Sequence, residues 1–262
     1  MNEELPSATG RKKLDVFEGV EPEIKVRTKK MMMWFIIFAI VMMFAGFTSA
    51  LIVMYGKAMW VHIVPSQWLW TSNALILVSS ITLYAGHKML RNGRQRLALV
   101  FTLITLALGI GFTISQNAAW TEMKARGMGR TTYLNEQGLE ASRWNSIGKI
   151  TGEYGKDFWF EINGQQVTLQ DGEYYDPANP ARPVTNTVMT TFNASGALLS
   201  ILIYLHIIHL LLGLIYLTVN SVRIMRGRLN AQNWISHYAN SMYWHFLGLL
   251  WLYLFAFMFF IY

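Results

Sequence analysis

Three histidines lie inside long apolar stretches of this sequence: His206 and His209, three residues apart, and His245 further along the chain. Imidazoles in such surroundings could ligate haem, copper or non-haem iron. The spacing argues against each. Residues three apart sit on nearly one face of a helix, so His206 and His209 do not offer two imidazoles facing each other across a haem plane. His245 falls early in a different stretch, at another depth. Non-haem iron asks for a carboxylate beside the imidazoles, and the apolar stretches contain none. The reading that fits is structural: these imidazoles hydrogen-bond to neighbouring helices and hold a bundle, or a partner, in register. No Walker loop, GxSxG elbow, HExxH or CxxC is present. Cysteine is absent, which removes a disulfide framework, a thiolate metal site and a thiol nucleophile.

The elements that must carry these histidines are five charge-free runs near Met31–Tyr55, Gln67–Gly86, Leu97–Gln116, Ala197–Val219 and Tyr238–Ile261. Each supplies the roughly 20 mainly apolar residues that a bilayer core demands of a helix. All 22 Lys/Arg and all 15 Asp/Glu of the 262 residues fall outside them. The fold class expected is an all-α polytopic membrane protein with five transmembrane helices and a small extramembrane α+β insert between helices 3 and 4. Intramembrane charges usually mark ion paths, so their absence argues against an independent carrier or channel. Such a carrier would show flux when reconstituted alone, and none is expected.

Charge counts set the orientation. The tail to Lys30 holds seven basic and six acidic residues, with its last four basic residues next to the membrane. The second-to-third connection carries Lys88, Arg91, Arg94 and Arg96, and the fourth-to-fifth carries Arg223, Arg226 and Arg228, with no acid in either. The first-to-second connection has only Lys57, and the third-to-fourth has seven basic against nine acidic residues. Positive-inside logic places the N-terminus in the cytoplasm and Tyr262 outside. The net charge of +7 thus belongs to membrane topology. Nucleic acid is excluded as a partner, since no basic face with interleaved aromatics exists outside the spans. The first 30 residues lack the apolar core and cleavage site of a secretory signal. Organisation is therefore a cytoplasmic polar tail (1–30), helices 1 to 3 (31–116), an outside insert (117–195) and helices 4 and 5 (196–262). Aromatics near the span ends, among them Trp34, Tyr55, Trp60, Trp68, Trp70, Trp120, Trp234, Tyr238, Tyr243 and Trp244, suit the headgroup layer. Trp251 and Tyr253 lie deeper and are expected to pack.

In the insert, Phe158–Ile162 and Gln165–Leu169 flank Asn163-Gly164, a strong hairpin signal because a type I′ turn needs positive φ at both central residues. Asp171-Gly172 offers a second turn. Residues 119–144, interrupted by glycines, are expected as a broken helix continuing the third span, and 176–183 as irregular Pro-rich chain. An isolated hairpin is marginal in water, so this one should dock on a neighbour. Phe158, Trp159, Phe160, Tyr174 and Tyr175 are expected to be exposed, which makes Phe158, Trp159 and Phe160 the partner-docking candidates. Within the spans, Trp70-Thr71-Ser72-Asn73, Ser79-Ser80 and Thr82 provide hydrogen-bonding groups, while Gly109, Gly111 and Gly213 permit close helix approach.

Here the residues carry a resemblance. Leu205-His206-Ile207-Ile208-His209-Leu210-Leu211-Leu212-Gly213 resembles the LHxxHxxxG stretch of haem-copper oxidase subunit III, and Tyr243-Trp244-His245-Phe246 with Trp251 resembles the YWHF…W signature of its last helix. Trp70 to Asn73, Ser79 to Leu83, and Gly111-Phe112 to Gln116-Asn117-Ala118-Ala119-Trp120 are similar to its second and third helices in the five-helix bacterial form. The resemblance implies the third large subunit of a cytochrome c oxidase, or of a closely related quinol oxidase, in a bacterial inner membrane. A nitric oxide reductase accessory subunit shares the fold and is the alternative. It further implies that this chain binds no haem or copper, that these cofactors sit in partner subunits I and II, and that structural phospholipid packs on it. The role implied is steadying the catalytic subunit and its proton and oxygen access. Cytochrome c or a respiratory supercomplex could meet the outside insert. The structural, subunit-contact or lipid-contact candidates are Trp70, Asn73, Gln116, Trp120, His206, His209, Gly213, Trp244, His245 and Trp251. Relatives often place acids where this sequence has Ile40 and Gly248, and seven-helix members have two further N-terminal helices.

Overall fold

The computed structural model describes residues 21–54, 60–125, 133–134, 140–141, 153–185 and 194–261. Among the described residues, five helices are long and apolar enough to cross a membrane: α1 (Pro22–Met54), α2 (Gln67–Arg91), α3 (Gln95–Ala125), α4 (Ala194–Met225) and α5 (Ile235–Ile261). Each apolar run is only part of its helix. α1 begins nine residues before Met31, so the basic stretch to Lys30 is helical, and α3 continues past Gln116. At about 1.5 Å per residue, helices of 31 to 33 residues exceed a ~30 Å hydrocarbon core, so α1, α3 and α4 project beyond it.

α5 is the central helix. It packs against α1, α2 and α4, α2 lies along α3, and α3 also meets α4. Lipid tails are as apolar as leucine, so such helices associate through close packing and hydrogen bonds. Both devices are visible. A Cβ on Gly109 would come within 2.7 Å of the Trp244 ring, and one on Gly213 within 3.4 Å of it, so the two glycines admit that indole between α3 and α4. Gly111 differs, meeting only Leu75 at an ordinary 3.8 Å. Hydroxyls inside the spans mostly bond back to their own helix, as in Ser79 to Ile76 O (2.7 Å), Thr102 to Ala98 O (2.7 Å) and Thr105 to Phe101 O (2.8 Å), which satisfies them where water is absent.

The extramembrane strands are β1 (Trp60–Ile63), β2 (Tyr133–Leu134), β3 (Glu140–Ala141), β4 (Phe158–Ile162), β5 (Gln165–Gln166), β6 (Thr168–Gln170), β7 (Glu173–Asp176) and β8 (Asn179–Pro183). They form antiparallel sheets in the orders β1-β4-β5, β2-β3 and β6-β7-β8. Both turns have the expected chemistry: φ is positive at Asn163 (51°) and Gly164 (79°), and again at Asp171 (50°) and Gly172 (83°). The neighbour on which the hairpin docks is β1, from the connection between α1 and α2, with Trp60 opposite Glu161 and His62 opposite Trp159.

Three expectations are corrected. The third span does not continue as a broken helix through 144: it is helical to Ala125, Tyr133–Leu134 pairs with Glu140–Ala141, and the rest of that stretch lies outside the described residues. Residues 179–183 form β8 on the sheet edge, a place where proline is tolerated because its missing N–H faces away from the ladder. Trp60, Trp120, Tyr243 and Trp244 are buried rather than set in a headgroup layer. Trp60 packs with α1, α4 and α5, and the other three lie within the helix core.

Candidate functional site

The predicted residues converge on α5 and what surrounds it. Trp251 is buried, and its indole N–H donates to Asn73 Oδ1 of α2 at 2.8 Å. Two turns earlier, the Trp244 N–H donates to Ser79 Oγ, also on α2, at 3.0 Å. A single face of α5 is thereby pinned to α2 at two depths. His206 of α4, 1% exposed, lies against the same face: its Nε2 bonds to Leu247 O of α5 at 3.2 Å, and its ring packs 5.3 Å from Trp251 and 6.3 Å from Phe112. Gln116 of α3 completes the set, donating through Nε2 to Ser72 Oγ of α2 at 2.6 Å.

The three histidines have unequal roles. His206 bridges to a neighbouring helix as expected. His209 does not: its Nδ1 bonds to Leu205 O of its own helix at 2.7 Å, while its backbone carbonyl accepts from the Tyr243 hydroxyl at 3.1 Å. The ring of His245 bonds to Ser241 Oγ one turn back on α5, at 3.1 Å. For these two, proximity along the helix overrides reach across it, because an i−4 carbonyl or hydroxyl is already within a side chain's length. Among the described residues, no group of three His, Asp or Glu side chains gathers as a metal site.

The remaining candidates are placed as follows. Trp70 is exposed on the surface with its edge toward Phe255 (5.1 Å). Trp120 is buried against Tyr204 (5.9 Å). Tyr253 does not pack deep: it is half exposed, though its hydroxyl reaches Thr48 Oγ1 at 3.1 Å. In the insert, the exposure that motivated Phe158 and Phe160 as docking residues is corrected, since both are buried, as is Tyr174. They form a cluster with Tyr154, with ring centroids 5.1 to 5.7 Å apart. The hydroxyl of Tyr154 donates to Val167 O (2.6 Å) and accepts from the Phe160 N–H (3.3 Å). Burial raises the pKa of Tyr154, and burial with the neighbouring Tyr154 raises that of Tyr174. Only Trp159 of the docking trio keeps a partly open face, with the other stacked on His62 at 5.0 Å.

Sequence reasoning did not anticipate the polar contacts at the end of the bundle that carries the insert. His62 Nε2 lies 2.6 Å from Glu161 Oε2, joining β1 to β4, and Ser66 donates to Glu122 near the end of α3. At the opposite end, His87 stacks on His237 (5.7 Å), His237 meets Thr102 Oγ1 (3.1 Å), and Gln95 ties α3 to Ile224 O and Leu229 O. The histidine at 87 was visible in the sequence, but it lies outside the charge-free run and its partner sits 150 residues away.

A five-helix integral-membrane bundle, with its buried polar groups turned to helix packing, is the class that this arrangement defines. Comparison with known proteins carries it further. The family model for Cytochrome c oxidase subunit III matches residues 169–262, which include both histidine-bearing motifs and the whole of α4 and α5. Cytochrome c oxidase subunit 3 of Rhipicephalus sanguineus is 25% identical over 188 residues, covering 71% of this chain and 49% of that protein. The chain therefore spans about half the length of this curated relative. The likeness to cytochrome c oxidase subunit III is thus carried by residues 169–262.

Proposed function

We propose that this chain is subunit III of a respiratory haem-copper terminal oxidase in a bacterial inner membrane. In this reading, reduction of oxygen to water and the coupled proton translocation belong to the assembled complex. The chain contributes no haem or copper of its own and stabilises the catalytic subunit I, with subunit II alongside. Phospholipid covers its exposed apolar surface. The observation that carries the reading is how the two family motifs interlock: His206 of the first bonds to Leu247 O, inside the second, and Trp244 fills the space beside Gly109 and Gly213. Residues that mark the family here build one packed unit, which is what a supporting subunit needs.

The test is a mild-detergent pull-down from native membranes through a tag on this chain. Co-purification of haem-containing oxidase subunits is the expected result, and a partner set without them refutes the reading. A co-purifying subunit with a two-copper domain identifies cytochrome c as donor, and its absence beside an oxidase points to quinol. Contact with cytochrome c or a further respiratory complex is assigned to the insert, whose described residues 153–185 carry six acidic and two basic side chains. Deleting 157–171 should weaken that contact; unchanged association and turnover would remove this part.

A further inference from the structure

A cavity of about 430 Å³ is set between α1, α2 and α5, at the end of the bundle where the acid-free connections emerge. Its volume falls in the range of sites that hold one small organic molecule, about 300–1,000 Å³. Its walls include the flat rings of Trp34, Tyr84 and Tyr238, with the imidazoles of His87 and His245 set among them. Trp34 and Tyr84 are more than half exposed, so the mouth faces sideways, toward the acyl layer of a surrounding bilayer. A second cavity of about 240 Å³ adjoins the first along α2 and α5 and shares His245 and Leu249.

The two imidazoles are placed but not fully used. The ring of His87 is held by Trp234, His237 and Tyr238 at 5.6 to 5.8 Å, yet its Nδ1 is buried with no hydrogen-bond partner among the described residues. A polar atom left unpaired away from water costs free energy, so a rigidly held one is a ready contact for a ligand. His245 borders both cavities; its Nε2 bonds to Ser241 Oγ at 3.1 Å, and that bond leaves the other ring nitrogen for a ligand. The cations nearby are held elsewhere. Lys30 Nζ sits 5.1 Å from the Tyr238 ring and 5.9 Å from the Trp234 ring, and the Arg91 guanidinium 5.0 Å from the Trp234 ring. Among the described residues, the walls of the cavity contain no Lys, Arg, Asp or Glu.

The ligand that matches is therefore uncharged, enters from the acyl layer, lays a flat ring against the aromatic walls and offers a hydrogen-bonding atom to each of two imidazoles on different helices. A fatty alcohol or a sterol brings one oxygen, and a phospholipid brings charge that these walls do not meet. A para-quinone carries an oxygen at either end of one ring. We propose that the cavity between α1, α2 and α5 is a binding site for a membrane-soluble para-quinone, with one oxygen at His87, the other at His245 and the apolar tail in the second cavity beside Leu249. The assignment is of binding alone, and no electron transfer is ascribed to this chain. It goes beyond a supporting role in an oxidase and does not depend on which molecule is the electron donor.

Native mass spectrometry of the purified full chain tests it, with decylubiquinone as the probe and decylbenzene, which keeps ring and chain but lacks the oxygens, as the comparison. The wild type should retain one decylubiquinone per chain at concentrations where decylbenzene, or dodecanol with its single oxygen, is retained at least tenfold less. His87→Leu and His245→Leu should each lower retention of the quinone at least fivefold, and Leu249→Trp, which fills the shared wall, at least tenfold. His209→Leu removes an imidazole from the spans away from the cavity and should change nothing. Equal retention of decylubiquinone and decylbenzene overturns the proposal. So does full retention in both the His87 and His245 variants, a loss of the same size in the His209 variant, or displacement of the quinone by equimolar dioleoylphosphatidylglycerol, which would mark a general lipid surface. The wild-type comparison decides the matter even where a variant fails to fold. Because the chain is measured alone, failure here is distinct from failure to co-purify oxidase subunits.

Discussion

In the bundle, the large aromatics reach across helices through a polar atom: Trp244 to Ser79, Trp251 to Asn73 and Tyr243 to His209 O. In the insert, the aromatics Tyr154, Phe158, Phe160 and Tyr174 pack chiefly on one another. The difference follows the solvent. Water drives apolar rings together, so the insert can be held by a ring cluster. Lipid provides no such drive between helices, so in the spans shape and a well-placed donor must provide it, and the glycines opposite Trp244 are part of that shape.

The largest break in this comparison is Trp244→Ala. It empties the space that Gly109 and Gly213 leave and removes the bond to Ser79, and the cost expected for a buried Trp truncation is about 3–5 kcal/mol. Thermal unfolding in detergent should show a large fall in midpoint, with loss of any co-purifying subunits. Phe160→Ala should cost about 3 kcal/mol by the same rule, but locally. Limited proteolysis within 153–185 should accelerate while the bundle midpoint stays within error; a matching fall in both would show that the two regions unfold as one. Asn73→Leu keeps the side-chain volume nearly intact and removes the acceptor of the Trp251 bond. Since interhelical hydrogen bonds in membranes average about 0.6 kcal/mol and reach about 1.7, a small midpoint shift is expected, and a fall as large as that of Trp244→Ala would refute the priority given to shape.

What could be read from sequence divides along the same line. The five spans were legible because charge is absent from runs of membrane length, and the two turns because Asn163-Gly164 and Asp171-Gly172 satisfy a local backbone demand. β1 was not legible. Trp60–Ile63 is four residues in a short connection, and it becomes a strand only by pairing with Phe158–Glu161 about a hundred residues later. The same pairing explains why Phe158 and Phe160 looked like an exposed docking edge: their alternation marks one buried face, and nothing local says what covers it. In the candidate site, the residue types that bond across helices were recognisable, but their partners were not. His206 and His209 look equivalent as sequence, yet only the ring of His206 reaches α5.

The smallest expected effect is also the one that separates the two regions without a truncation. Tyr154 and Tyr174 are outside the spans, and burial raises both phenols above their ordinary value of about 10. A raised acid keeps its proton longer in the folded insert than in the unfolded chain. Its contribution is therefore complete below pH 10 and is lost as pH rises through the folded value. Above pH 10 the insert should loosen, seen as faster hydrogen exchange in 153–185, while α5 stays protected. Tyr154→Phe loses the bond to Val167 O and should weaken the insert modestly at neutral pH, yet it should blunt the alkaline response, because one of the two ionising groups is gone. An alkaline transition of unchanged size in that variant would assign the effect elsewhere, and opening of α5 in the same pH range would mean that the insert and the bundle share one fate.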